Sequence, residues 1–568
     1  MTSIFVTAIY IADQNNIDIP RYTKCLKCLS ESGCRFCVFV EPRLHSCISQ
    51  CADLPNIRIL PSPPLEDLGS FRHLQSLSFS LPRDLNETTN TLSQFLIQHN
   101  KPWFLENAMD ELRSWNYRHL AWIRWDTVQT RHFCEMKRFS LIQYPDTILT
   151  APGIEPMSCC LEQQFYVHSI YRRFTGNFLF GDKESMRAYC QLAKDALLYY
   201  VRYTRILPFD VNIMAFLEEY GQPRWKVRWY PVDTRSLFTL PARLYTSPLS
   251  DKNIPVIDFP QLDGFHPSSV CFIKQSPDTG IMNGRYINYI INRRGEYSFP
   301  NGQPPIHSKN IRCEVFFQED GSPTYSHFHP ITNDASVCLE KNREQSSSLG
   351  LEDVRLYTVN GTVRYIATTL EYSKTGKSRM VIGNYNVSRD ESKDDSKDVF
   401  GRGTLIVPPN PTSLCEKNWI PFVKKIECGK EEEWFIYQWC PMKIGKLVVR
   451  GEETHLEIAI VHETAHLPWF YGFRGSTCFQ ETERGLLGIL HFSEESHPRC
   501  YYHIFVVLEH ETGKPIAYSH PFTFFEIGIE YCIGFCVRNQ EYGFWVSRWD
   551  RNPCFVLKHV NDFSWYNV

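Results

Sequence analysis

From Ser268 to the end, the chain repeats one pattern, and this repetition constrains its fold more than any other feature. A short polar motif is followed by an aromatic-rich strand. The segments are SSVCFIKQSPDTGIMNGRYINYIIN, EDVRLYTVNGTVRYIATTLEYS, EKNWIPFVKKIECGKEEEWFIYQWCP, RGSTCFQETERGLLGILHFSE with YYHIFVVLE, and EYCIGFCVRNQEYGFWVSRWDRNP. Their polar starts fall near Ser268, Glu352, Glu416, Arg474 and Glu530. Short strands recurring about every 60 residues are the signature of propeller blades, and the available length holds about five. Residues that open the innermost strand of each blade converge on a central channel, so recurring charges there predict a polar pocket. A β-sandwich with chance similarity between strands is the competing reading.

The first 245 residues follow a different rule. SIFVTAIYI reads as a buried strand, RYTKCLKCLSESG as a helix stopped by Gly33, and RFCVFVEP and NIRILPSP as further strands. Helical periodicity covers Ser93 to Trp115, and HLAWIRWD is strand-like. MRAYCQLAKDALLYYVRYTRIL is a long helix, DVNIMAFLEEYG a short one, and KVRWYPVD a late strand. Alternating strands and helices predict a mainly parallel sheet covered on both faces, with ligands beyond the carboxyl ends of its strands. The Pro- and Asp-rich stretch SPLSDKNIPVIDFPQLDGFHP lacks either period and reads as a linker. The expected organisation is therefore an α/β domain over 1–246, a linker over 247–267 and a five-bladed β-propeller over 268–568.

At 568 residues the chain exceeds what one core usually supports. A formal net charge of -3 argues against a general electrostatic hold on nucleic acid. No stretch approaches the ~20 apolar residues that span a bilayer, and the start carries no basic signal-peptide region. With 21 scattered Cys, the expected setting is the reducing cytoplasm, where the sequons at Asn86, Asn360 and Asn386 stay unmodified. Aromatic residues make up 14% of the chain. Strand-rich cores account for that, and sugar sites use the same rings for stacking.

In the first half, Arg124-Trp125-Asp126 closes a predicted strand. An acidic D-x-D pair at such a strand end holds a divalent metal against a diphosphate leaving group, and hard oxygen ligands suit Mn²⁺ or Mg²⁺. Here only Asp126 remains of the pair. FTGNFLFGDKES puts Gly176 and Gly181 where a backbone can approach a ligand closely. Asp210 opens a helix, as a cap or as a general base facing an acceptor hydroxyl.

The motif order LPRDLNETTNTLSQFLIQHNKPWFLENAMDE, HLAWIRWDTV, FTGNFLFGDKES, DVNIMAFLEE resembles the HtrL/YibB-type glycosyltransferase-like family, which has members in bacteria and large DNA viruses. The family strand carries an acid where this chain has Arg124, whose guanidinium instead suits phosphate oxygens. The resemblance implies a GT-A-like domain. Arg124, Asp126, Gly176, Asn177, Asp182 and Asp233 would bind a nucleotide-sugar donor, and Asp126 would hold the metal. Asp210 and Asp126 would act in catalysis.

The second-half series EDVRLY, EKNWIPF, FRGST and IEYCIGF resembles the five-bladed propellers of the mannoside phosphorylase and β-mannosyltransferase families. That resemblance implies a sugar pocket made by Glu352, Asp353, Arg355, Asn418, Arg474, Ser476 and Glu530. The same charges could equally pair with one another to hold blades together.

Two further patterns carry less. HETAH at His462–His466 fits the H-E-x-x-H zinc motif, but Pro468 and a strand-rich context oppose the helix it needs. Cys25, Cys28, Cys34 and Cys37 form a CxxC-x5-CxxC array with a short spacer, better read as buried thiols than as a zinc site.

The leading expectation is thus a glycosyltransferase moving a sugar from a nucleotide sugar to a glycan or glycoprotein acceptor. One rival makes the propeller an active glycoside phosphorylase or mannosyltransferase beside a degenerate first domain. Another is a non-catalytic glycan-binding protein.

Overall fold

The structure is a computed structural model. It describes residues 3–11, 19–48, 54–69, 74, 76–82, 92–128, 133–142, 149–154, 170–220, 226–231, 240–250, 253–300, 305–331, 346–373, 375–386, 400–426, 429–494 and 498–568. The chain divides into two compact units, Met1–Tyr245 and Thr246–Val568. Among the described residues, no helix is long and apolar enough to cross a membrane.

The first unit is a mixed α/β layer structure. Its sheet runs β3-β2-β1-β4-β6-β5-β7. The strands are β1 (Ser3–Ile9), β2 (Arg35–Val40), β3 (Ile57–Pro61), β4 (His119–Ile123), β5 (Leu149–Gly153), β6 (Phe178–Asp182) and β7 (Val227–Pro231). The first four are parallel, whereas β6 runs antiparallel to both β4 and β5. β1 and β4 are buried along their whole length, which is why they read as continuous apolar runs. The helix Ile19–Glu31 stops as predicted, with Gly33 in the left-handed region at φ 68. The helical stretch after Ser93 is two helices, Leu92–His99 and Lys101–Glu111, meeting at Asn100.

The second unit is all β and contains five antiparallel meanders. The first holds β8 (His266–Lys274) and β9 (Thr279–Ile287), then a small pair, β10 (Ile290–Ile291) with β11 (Tyr297–Ser298), then β12 (Ile306–Phe317) and β13 (Pro323–Ile331), with β14 (Ser348–Leu349) beside β12. The second is β15 (Glu352–Val359), β16 (Thr362–Thr369), β17 (Arg379–Asn384) and β18 (Thr404–Val407). The third is β19 (Ile420–Lys425), β20 (Glu431–Trp439), β21 (Met442–Arg450) and β22 (Glu453–His462), and β18 joins it by a parallel pair with β22. In the fourth, β23 (Arg474–Gly475) and β24 (Gln480–Thr482) flank β25 (Gly485–Glu494), followed by β26 (Cys500–Leu508) and β27 (Pro515–Ser519). The fifth is β28 (Glu530–Arg538), β29 (Glu541–Arg548) and β30 (Arg551–His559), while the terminal β31 (Trp565–Asn567) returns to pair with β27.

The first strands of successive meanders touch. β8 meets both β15 and β28, β15 meets β19, and β25 meets β28. The third and fourth meanders close at Gly475, where an added Cβ would lie 2.4 Å from the Asn418 carbonyl oxygen and 2.3 Å from Ile420 Cγ1. Apolar clusters fill the gaps between neighbours: Tyr357, Ile366, Trp419 and Phe435 between the second and third, and Phe505, Phe524, Phe544 and Val546 between the fourth and fifth. Ile257 and Phe259, from the Pro-rich stretch, pack into the cluster shared by the first and fifth.

HETAH forms no helix: His462 ends β22, and the chain then turns. Cys25, Cys28, Cys34 and Cys37 are free thiols, the last two buried.

Candidate functional site

The first unit gathers most of its predicted site residues at the carboxyl edge of β1 and β4. Arg124 directly follows β4, and its backbone N–H donates to the Asn177 carbonyl at 3.0 Å. Its Nε donates to Asp126 Oδ1 at 2.6 Å. Asp210 pairs with Lys101 at 2.5 Å, and the same ammonium donates to the Gly176 carbonyl at 2.7 Å. Lys101 is 1% exposed, and burial pulls its pKa down while Asp210 pulls it back up. Gly176 has φ 67, and an added Cβ would meet Val211 Cγ1 at 2.8 Å, so glycine is needed there for backbone and space alike. Asp182 caps the helix Lys183–Thr204, accepting from the Ser185 N–H at 2.7 Å. Asp233 lies outside the described residues.

These contacts do not fit a metal. Each described candidate acid is committed: Asp126 to Arg124, Asp210 to a buried lysine, Asp182 to a helix start. Among the described residues, no three His, Cys, Asp or Glu side chains group closely enough to hold a metal ion. A Mn²⁺ or Mg²⁺ centre on Asp126 would first have to break its pairing with Arg124.

In the second unit the predicted residues meet around two buried arginines. Arg355 is fully buried. Its Nε donates to the Ser476 carbonyl at 2.6 Å and its Nη1 to the Asp353 carbonyl at 3.0 Å. Its Nη2 donates to the Tyr531 hydroxyl at 2.8 Å, Asn418 Oδ1 at 3.2 Å and the Gly475 carbonyl at 3.3 Å. One guanidinium thereby ties together the openings of the second, third, fourth and fifth meanders. Its acceptors are all neutral, and Nε, Nη1 and Nη2 each donate to at least one of them, so Arg355 ties these openings together.

Arg285, from the middle of β9, does the opposite. Its Nη1 reaches Asp353 Oδ1 at 3.0 Å and its Nη2 lies 3.4 Å from Glu352 Oε2, while Ser308 Oγ accepts from its Nε at 2.9 Å. Asp550 Oδ2 accepts from the Tyr289 hydroxyl at 3.0 Å. Burial holds Asp550 above the ordinary carboxylate range, Arg285 and the Tyr289 hydroxyl pull it down, and Asp353 and Glu352 push it up again. Three acids, two tyrosines and one arginine thus form an electrostatically coupled cluster, with Tyr297 as the second ring against Tyr289. The Asp353 and Glu352 side chains keep 17% and 28% of their surface open.

The remaining predicted residues divide between packing and cavity. Ser476 is buried with its hydroxyl 2.8 Å from His491 Nδ1. Glu530 is buried and accepts three backbone N–H groups, from Phe524, Phe525 and Glu526, at 2.7 to 2.8 Å. Asn418 and Arg474 line a cavity of about 370 Å³ with Lys417, Tyr437, Trp439, Tyr471 and Phe473.

Sequence reasoning missed Arg285, Tyr289, Asp550, Tyr531, Lys417 and Lys101. For Asp550 a signal was present: the tripeptide Arg-Trp-Asp occurs twice, at 124–126 and at 548–550. The second copy is the one that enters an acidic cluster, with Trp549 and Asp550 both in the left-handed region at φ 57 and φ 53.

No protein-family profile matches the chain, and no curated protein matches it. Solved structures do. A glycosyl hydrolase from Bacteroides ovatus matches at 9% identity and a TM-score of 0.35, covering 57% of this chain and 96% of its own. A β-1,2-mannobiose phosphorylase from Listeria innocua matches at 10% and 0.33, covering 54% and 94%. A mannose phosphorylase from Leishmania mexicana matches at 12% and 0.29, covering 55% and 89%. The expectation of a nucleotide-sugar glycosyltransferase is corrected here. The acids that would have served a donor are committed to ion pairs and a helix cap.

Proposed function

We propose that the second unit is a five-bladed propeller that cleaves a glycosidic bond at the Glu352–Asp353–Asp550 cluster. The blade reading is supported by contacts that link each meander to the next: β8 to β15 and β28, β15 to β19, β25 to β28, and Gly475 to Asn418. The cleavage reading rests on one observation: acids of contrasting environment share one cluster. Glycoside cleavage needs a carboxylic acid to protonate the leaving oxygen and a second group to handle the nucleophile. Groups whose surroundings push their pKa values apart take those two parts.

Asp550, raised by burial, is the proton donor in this reading. Asp353, paired with the Arg285 guanidinium, faces the nucleophile. The proton passes from Asp550 to the glycosidic oxygen, the bond from that oxygen to the anomeric carbon breaks, and a water or phosphate oxygen bonds to that carbon. When water attacks, Asp353 takes its proton. Arg285 holds Asp353, and Arg355 holds the loops that carry Asp353 and Asn418.

The test is hydrolysis and phosphorolysis of a panel of aryl glycosides and oligosaccharides by the full chain, with and without phosphate. Asp550→Asn and Asp353→Asn are each expected to lower kcat by about 10²- to 10⁴-fold, the range of general acid–base catalysis. A rate that depends on phosphate identifies a phosphorylase, and one that does not identifies a hydrolase. Turnover by both variants at the wild-type rate rejects the cluster.

A further inference from the structure

The cavity at the third and fourth meander openings carries two cations that the proposed chemistry does not use. Lys417 and Arg474 are both exposed, both line it, and among the described residues neither has an ion-pair or hydrogen-bond partner. The acid next to Lys417 is already spent: Glu416 is buried, accepting from Trp419 Nε1 at 3.1 Å and from the Tyr437 hydroxyl at 3.4 Å. Among the described residues, no acid lines the cavity. Both cations also act on the buried ring of His491, which burial, then His503, Arg474, Arg355 and Lys417 hold well below the usual imidazole range. The pair thus creates positive potential without an internal counter-charge.

The other walls are aromatic. Tyr437, Trp439, Tyr471 and Phe473 line the same space. Tyr471 sits on the turn Phe470–Gly472 and is 91% exposed, an unusual place for a large ring unless it meets something. Rings offer flat apolar surfaces to the apolar faces of a pyranose. At about 370 Å³ the space has the size of a small-molecule site rather than that of a lone ion. The floor is rigid, because Asn418 is held by Arg355 and Tyr531 and by the close approach of Gly475.

We propose that this cavity binds a pyranose bearing an anionic group, a sugar phosphate or a uronate, with Lys417 and Arg474 on the oxyanion and Tyr471 and Trp439 on the ring. The proposal rests on the glycoside reading and narrows its substrate class to acidic glycans.

The experiment is binding to the full chain by calorimetry and thermal shift, using glucose 6-phosphate, glucuronate, glucose and inorganic phosphate at matched ionic strength. Glucose 6-phosphate and glucuronate are expected to bind and raise Tm, and glucose and inorganic phosphate to do so at least 10-fold more weakly. Lys417→Ala and Arg474→Ala each lower affinity at least 10-fold, Lys417→Arg restores it, and added salt weakens it. Inorganic phosphate binding as well as the sugar phosphate overturns the proposal in favour of a bare anion pocket. Equal binding of glucose overturns the role of charge, and no binding at all, or unchanged binding in both alanine variants, overturns the site. Asp353→Asn is included because it removes cleavage and leaves this cavity intact. Acidic sugars that bind without any glycoside being cleaved would sink the glycoside reading alone, and glycosides cleaved with only neutral sugars bound would sink this one alone.

Discussion

Replacing Arg355 by lysine tests whether one side chain holds the ring of meanders together. Five acceptors converge on the guanidinium: the carbonyls of Ser476, Asp353 and Gly475, Asn418 Oδ1 and the Tyr531 hydroxyl. Lysine keeps the charge but offers three donors from a single point, not a planar fork. At least two acceptors then lose their partner around a side chain that is itself fully buried. A buried polar group left unpaired costs about 1–3 kcal/mol, so Arg355→Lys is expected to lose about 2–5 kcal/mol. That is a large share of the roughly 5–15 kcal/mol that stabilises a typical protein. Guanidinium unfolding followed by tryptophan fluorescence reads the loss, because Trp419 is buried beside Glu416 in the third meander. The midpoint of the second unit's transition should fall with its slope unchanged. Arg355→Met, which removes all five bonds and the charge, should lose at least as much. A loss below 1 kcal/mol in both variants would refute the argument that these bonds join the meanders.

Two other perturbations probe buried charges. Burial pushes the Glu530 carboxyl up to about 7, against the pull of three backbone N–H groups. Its folded value lies above its unfolded one, so its stabilising contribution is complete below about pH 4.3 and is lost as pH rises through about 7, by up to roughly 3 kcal/mol. Glu530→Gln should flatten that part of the Tm profile between pH 5 and 8, and should cost about 1–3 kcal/mol at pH 5 by setting an amide donor against a backbone N–H; an unchanged pH slope would contradict it. In the first unit, Asp210→Ala leaves the buried Lys101 ammonium alone and should cost about 3–5 kcal/mol, whereas Asp126→Ala removes a half-open pair worth about 1 kcal/mol or less. Both variants should retain full glycoside cleavage, so a collapse of activity in Asp126→Ala at unchanged Tm would return the chemistry to the first unit.

Regular elements were legible wherever burial leaves a periodic trace. β1 and β4 are buried throughout, β2 is buried apart from Arg35, and all three read as apolar runs, while Gly33 marks a helix end by backbone chemistry that depends on a few adjacent residues. The antiparallel setting of β6 had no such trace, because strand direction is decided by which partner the chain returns to. The repeat starts pointed to Arg355, Asn418, Ser476 and Glu530, and these do lie at meander openings, yet Arg355, Ser476 and Glu530 are bound inward. A period in sequence marks positions that must pack alike, and packing alone satisfies it. Arg285, Tyr289 and Lys417 lie inside the repeating segments but away from the polar residues that the repeat aligns. What makes them notable is a partner 68 residues away for Arg285, a partner 261 residues away for Tyr289, and, among the described residues, the absence of a side-chain partner for Lys417.

Asp353 shows how a structural and a chemical role can share one residue. It has φ 52, a left-handed conformation that costs a residue with a Cβ about 1–2 kcal/mol and that Asp and Asn tolerate best. Asn418, at the opening of the third meander, and Asp550, in the turn between β29 and β30, adopt the same region at φ 64 and φ 53. In Asp353 its carbonyl oxygen accepts from Arg355 while its carboxylate faces Arg285. The first contact joins the opening of β15 to the other meanders, and the second sets a cation against the carboxylate. Strain retained at such a position is typical of functional sites, since the surrounding structure must over-determine it. In the proposed reading the Arg355 network supplies that constraint, and this fully buried arginine acts through the geometry of Asp353 rather than by touching a substrate.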